Sequence, residues 1–138
     1  MSSTDQQWAE LLKQAIQARE YSYSPYSHYK VGAALLTRSG KIYTGCNIEN
    51  AGYTPSVCAE RTAIFKAVSE GEMDFVAIAV ATSNGGAPCG VCRQVIREFS
   101  PNLTIIIGNI EGEYQLLTLA DLLPYSFGPD SLPSSPSS

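Results

Sequence analysis

The sequence has little that would hold a polymer or a membrane. Lysine and arginine number 9 against 13 acidic residues in a chain of 138, a formal net charge of −4. The cations are scattered singletons such as Lys30, Arg38 and Lys41. Phosphate backbones are bound by clustered cations, so no nucleic-acid partner is expected. No uninterrupted apolar run approaches the roughly 18 residues of a membrane span, and the opening Met-Ser-Ser-Thr-Asp-Gln-Gln is polar, unlike a secretory signal. No membrane partner and a cytoplasmic location are expected. Cysteine is sparse, at four residues. In a reducing compartment, four cysteines with one close pair read as metal-binding or catalytic rather than as disulfides. Histidine occurs once, as His28 in a Tyr- and Ser-rich loop, and is set aside as a ligand because three thiols suffice.

The length and apolar content suit one domain with its own core. Thr4 and Gln7 have capping-box form, and Trp8, Leu11, Leu12, Ala15 and Ile16 follow at helical spacing, which predicts an amphipathic helix over roughly 5–19. Val31 to Thr37 and Ile42 to Cys46 flank Arg38-Ser39-Gly40-Lys41 as a β-hairpin. A loop rich in Asn, Gly and Pro leads to Cys58, where Ala59, Ala63, Ile64, Ala67 and Val68 form the apolar stripe of a helix ending near Gly71. Phe75 to Thr82 and Leu103 to Ile107 are apolar enough for strands buried on both faces. The helix between them carries Val91, Val95, Ile96 and Phe99 inward, which predicts a parallel pair. A strand over Tyr114 to Leu117 and a short helix from Leu119 to Leu123 complete a mixed five-stranded sheet covered by helices. The catalytic domain is expected over 1–129, with the Ser- and Pro-rich 130–138 a disordered tail.

The chemistry lies in two short segments. Cys58-Ala59-Glu60 is followed, after a gap, by Pro88-Cys89-Gly90-Val91-Cys92-Arg93. Three thiols suit zinc, and a catalytic zinc keeps three protein ligands and leaves its fourth position to water. Cys89 and Cys92, three apart at a helix start, place both sulfurs on one face. Both segments open helices, whose unpaired N–H groups and positive dipole ends favour thiolates. Glu60 is the acid/base candidate. Two residues on an ideal helix is about 200° of rotation, so Glu60 reaches the side of Cys58 only if Cys58 is non-helical. Arg61 is expected to donate to the thiolates and temper their charge, with Arg93 a weaker candidate.

Four segments together resemble the small, homotetrameric, zinc-dependent cytidine deaminases. They are Asn47-Ile48-Glu49-Asn50, Cys58-Ala59-Glu60-Arg61-Thr62-Ala63, Pro88-Cys89-Gly90-Val91-Cys92-Arg93 and Leu122-Leu123-Pro124-Tyr125-Ser126-Phe127-Gly128-Pro129. The resemblance spans about residue 7 to 132. It implies a three-layer α/β/α cytidine deaminase-like fold, one zinc ion per chain on Cys58, Cys89 and Cys92, and deamination of cytidine and deoxycytidine in pyrimidine salvage. Glu60 would move the protons, and Asn47 and Glu49 would hold the sugar hydroxyls. Ala59 would meet the base edge through its backbone, and Tyr29, where the family commonly has Phe, would pack on the pyrimidine. Tyr53 and Phe127 would reach the active site of a neighbouring subunit in a homotetramer.

Two rival readings stand beside this one. A zinc-stabilised binding module would use Cys46 as a fourth ligand, but a closed site gives Glu60, Asn47 and Glu49 no reason to assemble. Blasticidin-type aminohydrolases share the cysteine and glutamate motifs, yet typically lack the full Asn-x-Glu-Asn segment and the Arg-Thr-Ala after the glutamate, both present here.

Overall fold

A computed structural model describes residues 3–52, 56–85, 90–100 and 102–122, with Ser3, Gly90 and Val91 described by their backbone alone. Helix α1 (Ser3–Ala18) runs into a single 3-10 turn, Arg19–Tyr21. Strands β1 (Gly32–Thr37) and β2 (Ile42–Cys46) form the hairpin, followed by α2 (Ala59–Ser69), β3 (Phe75–Thr82), α3 (Gly90–Phe99), β4 (Thr104–Asn109), β5 (Tyr114–Leu117) and α4 (Leu119–Leu122). The strand order is β2-β1-β3-β4-β5. β1 is antiparallel to β2 and β3, β3 and β4 are parallel across α3, and β5 returns antiparallel to β4. This is the mixed five-stranded sheet that the apolar pattern predicts.

Alternation along each strand divides the core in two. On one face, Trp8, Leu11, Leu12 and Ala15 of α1 pack on Ala34, Leu36, Ala77, Ala79 and Ile106. On the other, Ala59, Ala63, Ile64 and Ala67 of α2, Ile96 of α3 and Leu119 of α4 pack on Ala33, Leu35, Ile78 and Ile105. Every residue of β1 is buried, as expected of a strand covered by helices on both sides. Among the described residues no helix is long and apolar enough to cross a membrane.

Several boundaries differ from the sequence pattern for identifiable reasons. α1 begins at Ser3, so Thr4 lies inside the first turn rather than capping it. β4 continues to Asn109 although Gly108 and Asn109 have poor strand propensity, because they pair with Ala81 and Thr82 of β3; a ladder partner outweighs propensity here. The end of α2 is as expected. Gly71 takes a φ of 89°, and Gly71 N and Glu72 N donate to Val68 O and Ala67 O at 3.0 and 2.9 Å, the two bonds of a Schellman motif.

Gly45 sets where α2 begins on the sheet. A Cβ at this position would stand 2.5 Å from Ala59 O and 2.7 Å from Ala63 N, so only glycine admits the first turn of α2 against β2. Thr62 Oγ1 fastens the same turn by donating to Cys46 O at 3.1 Å. The N-terminus of α2 is thereby held near the carboxyl end of β3, where α/β sheets collect their sites.

Candidate active site

Cys58 is the N-cap of α2, with extended backbone (φ −73°, ψ 156°). Its side chain therefore does not follow the helical rotation that would turn it away from Glu60. Cys58, Ala59 and Glu60 line one cavity of about 270 Å³. Glu60 is 3% exposed, and burial pushes its carboxyl from the ordinary value near 4.5 up to about 7. The charge of Cys58 adds to the rise, while hydrogen bonds from its own backbone N–H and from Cys92, together with the charge of Arg61, oppose it. Cys92, on the first turn of α3, is fully buried. Two thiols from two helix starts and one carboxylate thus meet. Cys89 lies outside the described residues, among which no group of three His, Cys, Asp or Glu side chains is placed to hold a metal.

The surroundings fit a thiolate-bound zinc. Arg61 donates through Nη2 to Ser56 O at 3.2 Å and to Cys58 Sγ at 3.6 Å, and its Nε is buried with no partner among the described residues. A buried guanidinium N–H calls for an acceptor, and the sulfurs of Cys58 and Cys92 are what this fork faces. Burial works against the Arg61 charge, yet its hydrogen bond to Cys58 and the charges of Cys58 and Cys92 outweigh it and raise its pKa. Soft sulfur donors with a hydrogen-bonding arginine behind them match the ligand chemistry of zinc.

The rest of the cavity lining comes from Ser27, Tyr29, Val31, Asn47 and Glu49, with Val80 and Thr82 from the end of β3. Asn47 is tightly engaged: its Oδ1 accepts from Ser22 Oγ and from Val31 N at 3.0 Å, and its Nδ2 donates to Tyr29 O at 2.8 Å. One amide N–H is left over. Glu49 Oε1 accepts from the consecutive N–H groups of Tyr26 and Ser27 at 2.9 and 3.1 Å, and Oε2 accepts from Ser27 Oγ. These bonds, Ser27 Oγ first, hold the Glu49 carboxyl below its ordinary value. It is held in its ionised, acceptor-only form near neutral pH.

A family model described as "Cytidine and deoxycytidylate deaminase zinc-binding region" matches residues 5–108. The chain belongs to this deaminase family. It is an enzyme by that membership, and the family's region is a zinc-binding one. A cytidine deaminase of Halalkalibacterium halodurans is 53% identical over 120 residues, covering 85% of this chain and 91% of that protein. One of Sporosarcina psychrophila is 48% identical over 125 residues, with 88% and 92% covered. The crystal structure of cytidine deaminase from Burkholderia pseudomallei superposes with a TM-score of 0.81 at 47% identity, covering 86% of this chain and 97% of that one. The three-layer arrangement is thus the deaminase fold.

Other residues of this deaminase chain fall away from the cavity. Arg93 Nη1 donates to Leu122 O at 2.7 Å, so this side chain ties α3 to the end of α4. His28 is exposed, with a φ of 58° and its N–H bonded to Ser24 O at 3.0 Å. Cys46 lines a different cavity, of about 360 Å³, with Gln14, Tyr21, Thr62 and Lys66. Tyr53, Phe127 and residues 130–138 lie outside the described residues. Sequence reasoning missed Ser27, which holds Glu49, and Thr82, which ends β3 at the cavity. The Pro25-Tyr26-Ser27 turn was the available signal for Ser27, since serine in a turn bonds locally.

The raised pKa of Glu60 has a measurable sign in the metal-free protein. The folded chain binds more protons than the unfolded one between pH 4.5 and about 7, so the contribution of Glu60 to stability falls as pH rises through that window and levels off above it. The shift corresponds to roughly 3 kcal/mol. In urea melts, metal-free Glu60→Gln should therefore gain on the wild type from pH 5 to pH 8. A constant difference across that range would contradict the burial argument.

Proposed function

We propose that this enzyme deaminates cytidine and deoxycytidine hydrolytically to uridine and deoxyuridine, releasing ammonia, as a step of pyrimidine salvage in the cytoplasm. The observation that carries the reading is a buried carboxyl, Glu60, beside two thiols at a cavity that Asn47 and Glu49 also line. Among the described residues lining it there is no lysine or arginine. A phosphate would meet carboxylates there rather than cations, which favours the free nucleoside over the nucleotide. The volume lies a little below the roughly 300–1,000 Å³ of common small-molecule clefts, a size for one small ligand.

Cys58, Cys89 and Cys92 would hold one zinc ion per chain. When bound, zinc supplies a Lewis acid that makes water nucleophilic near neutral pH. Glu60 takes a proton from the attacking water and places it on ring N3 as the water oxygen bonds C4. The same carboxyl then carries the proton of the new C4 hydroxyl to the amine, the C4–N bond breaks, and ammonia leaves. A carboxyl that burial disfavours as an anion, and that lies beside the thiols, is suited to accept and donate in one cycle. Glu49 accepts from sugar hydroxyls and Asn47 uses its remaining N–H on them. Ala59, at the start of α2, offers the base edge a backbone N–H with no intrahelical acceptor. Tyr29 packs on the ring, and Arg61 tempers the thiolate charge.

The assembled form we propose is a homotetramer in which Tyr53 and Phe127 complete a neighbour's site. Tyr21, Tyr23 and Tyr26, respectively 83, 56 and 53% exposed beside the cavity loop, supply apolar area that such an assembly covers. The function is tested by incubating zinc-loaded protein with cytidine, deoxycytidine, deoxycytidine monophosphate and blasticidin. Loss of nucleoside absorbance ahead of the other two is expected, and turnover of blasticidin alone would replace this reading with its rival.

A further inference from the structure

We propose that Asn84 is a positioning residue that latches the Tyr29 phenol across the mouth of the cavity, so that the ring stands as a preformed wall for the entering nucleoside. The inference rests on the nucleoside reading above. Tyr29 Oη donates to Asn84 Oδ1 at 2.6 Å. Thr82 Oγ1 donates to the same oxygen at 3.2 Å. Tyr29 and Thr82 both line the cavity, whereas Asn84 is not among its described lining residues. Asn84 therefore acts through its neighbours: one amide oxygen ties the buried end of β3, where Thr82 is 2% exposed, to a loop 55 residues away in sequence.

The backbone of Tyr29 is already pinned on both sides by residues of the same wall. Its N–H donates to Ser27 Oγ at 3.0 Å, and its carbonyl accepts from Asn47 Nδ2 at 2.8 Å. What stays free is the side chain, 37% exposed, whose two torsions would wander in water without a partner for the hydroxyl. The Asn84 oxygen removes that freedom before substrate arrives, and ordering done in advance appears as tighter binding. Because the latch touches neither the reacting atoms nor the thiols, its effect belongs to KM.

The test compares Tyr29→Phe, Asn84→Ala, Asn84→Asp and the Tyr29→Phe/Asn84→Ala double variant, all zinc-loaded, in steady-state kinetics on cytidine. Tyr29→Phe and Asn84→Ala should each raise KM about fivefold, the worth of one ordinary hydrogen bond, with the loss of kcat/KM lying in KM rather than kcat. The double variant should be no worse than either single one, since both remove the same bond. Asn84→Asp keeps an acceptor oxygen and should hold KM near the wild-type value. A merely structural defect would lower the active fraction and hence kcat, leaving KM in place. Native KM in both single variants, additive losses in the double one, or a loss confined to kcat overturns the latch while leaving the deaminase reading intact. A wild type that does not turn over any nucleoside overturns both.

Discussion

Glu60→Gln is expected to lower kcat on cytidine by about 10³-fold, within the range assigned to positioned acid/base groups, while zinc content stays at the wild-type level. Glutamine matches the volume of Glu60 and keeps a hydrogen-bonding end, but it cannot take a proton from water or return one to the amine. Since one carboxyl serves both halves of the proposed cycle, nothing else among the described cavity residues takes over: Glu49 is ionised and engaged by Tyr26 and Ser27. Lost folding cannot mimic the result, because glutamine also removes the cost of burying a carboxylate that is 3% exposed. Activity within about tenfold of wild type would remove Glu60 from the mechanism.

Cys92→Ala should abolish zinc retention and lower turnover by a comparable factor. The thiol is fully buried on α3, and alanine keeps the helix while removing roughly 1 kcal/mol of packing. The folded chain should survive without its metal. Zinc-linked stability separates this from a simple packing loss: at zinc about 100 times its Kd, a binding-competent chain gains about 2.7 kcal/mol, and Cys92→Ala should gain almost none. A variant that melts like the wild type with and without zinc would show that Cys92 is no ligand. By contrast, Cys46→Ala should keep both zinc and zinc-linked stability, since Cys46 faces a separate cavity.

Much of the fold was legible because its signals are strong and local. The uninterrupted apolar run of β3 and the alternation of stripe and turn around α1 and α2 admit few other readings. The boundaries less so: Gly108 and Asn109 join β4 through pairing alone, information that resides in β3 rather than in their own propensities. At the site, the Cys-Ala-Glu and Cys-x-x-Cys segments marked the chemistry, but their spacing left Glu60 on the wrong side of a helix. The extended backbone of Cys58 resolves this, and backbone dihedrals at a cap cannot be read from residue spacing. Arg61 and Arg93 each stand close to a cysteine in sequence, and Arg61, next to Glu60, was the stronger candidate. Both are half-buried, and their partners tell them apart: Arg61 bonds Cys58, whereas Arg93 reaches Leu122. Asn84 carried no sequence signal beyond its place in a Ser-Asn-Gly turn, since its partner Tyr29 is distant in the chain.

The most direct test of the central claim is the fate of oxygen when zinc-loaded protein turns over cytidine in water enriched in heavy oxygen. Hydrolytic deamination predicts uridine carrying one solvent oxygen at C4, with ammonia released in equal amount. Failure to form uridine, or uridine formed without solvent oxygen, would contradict it.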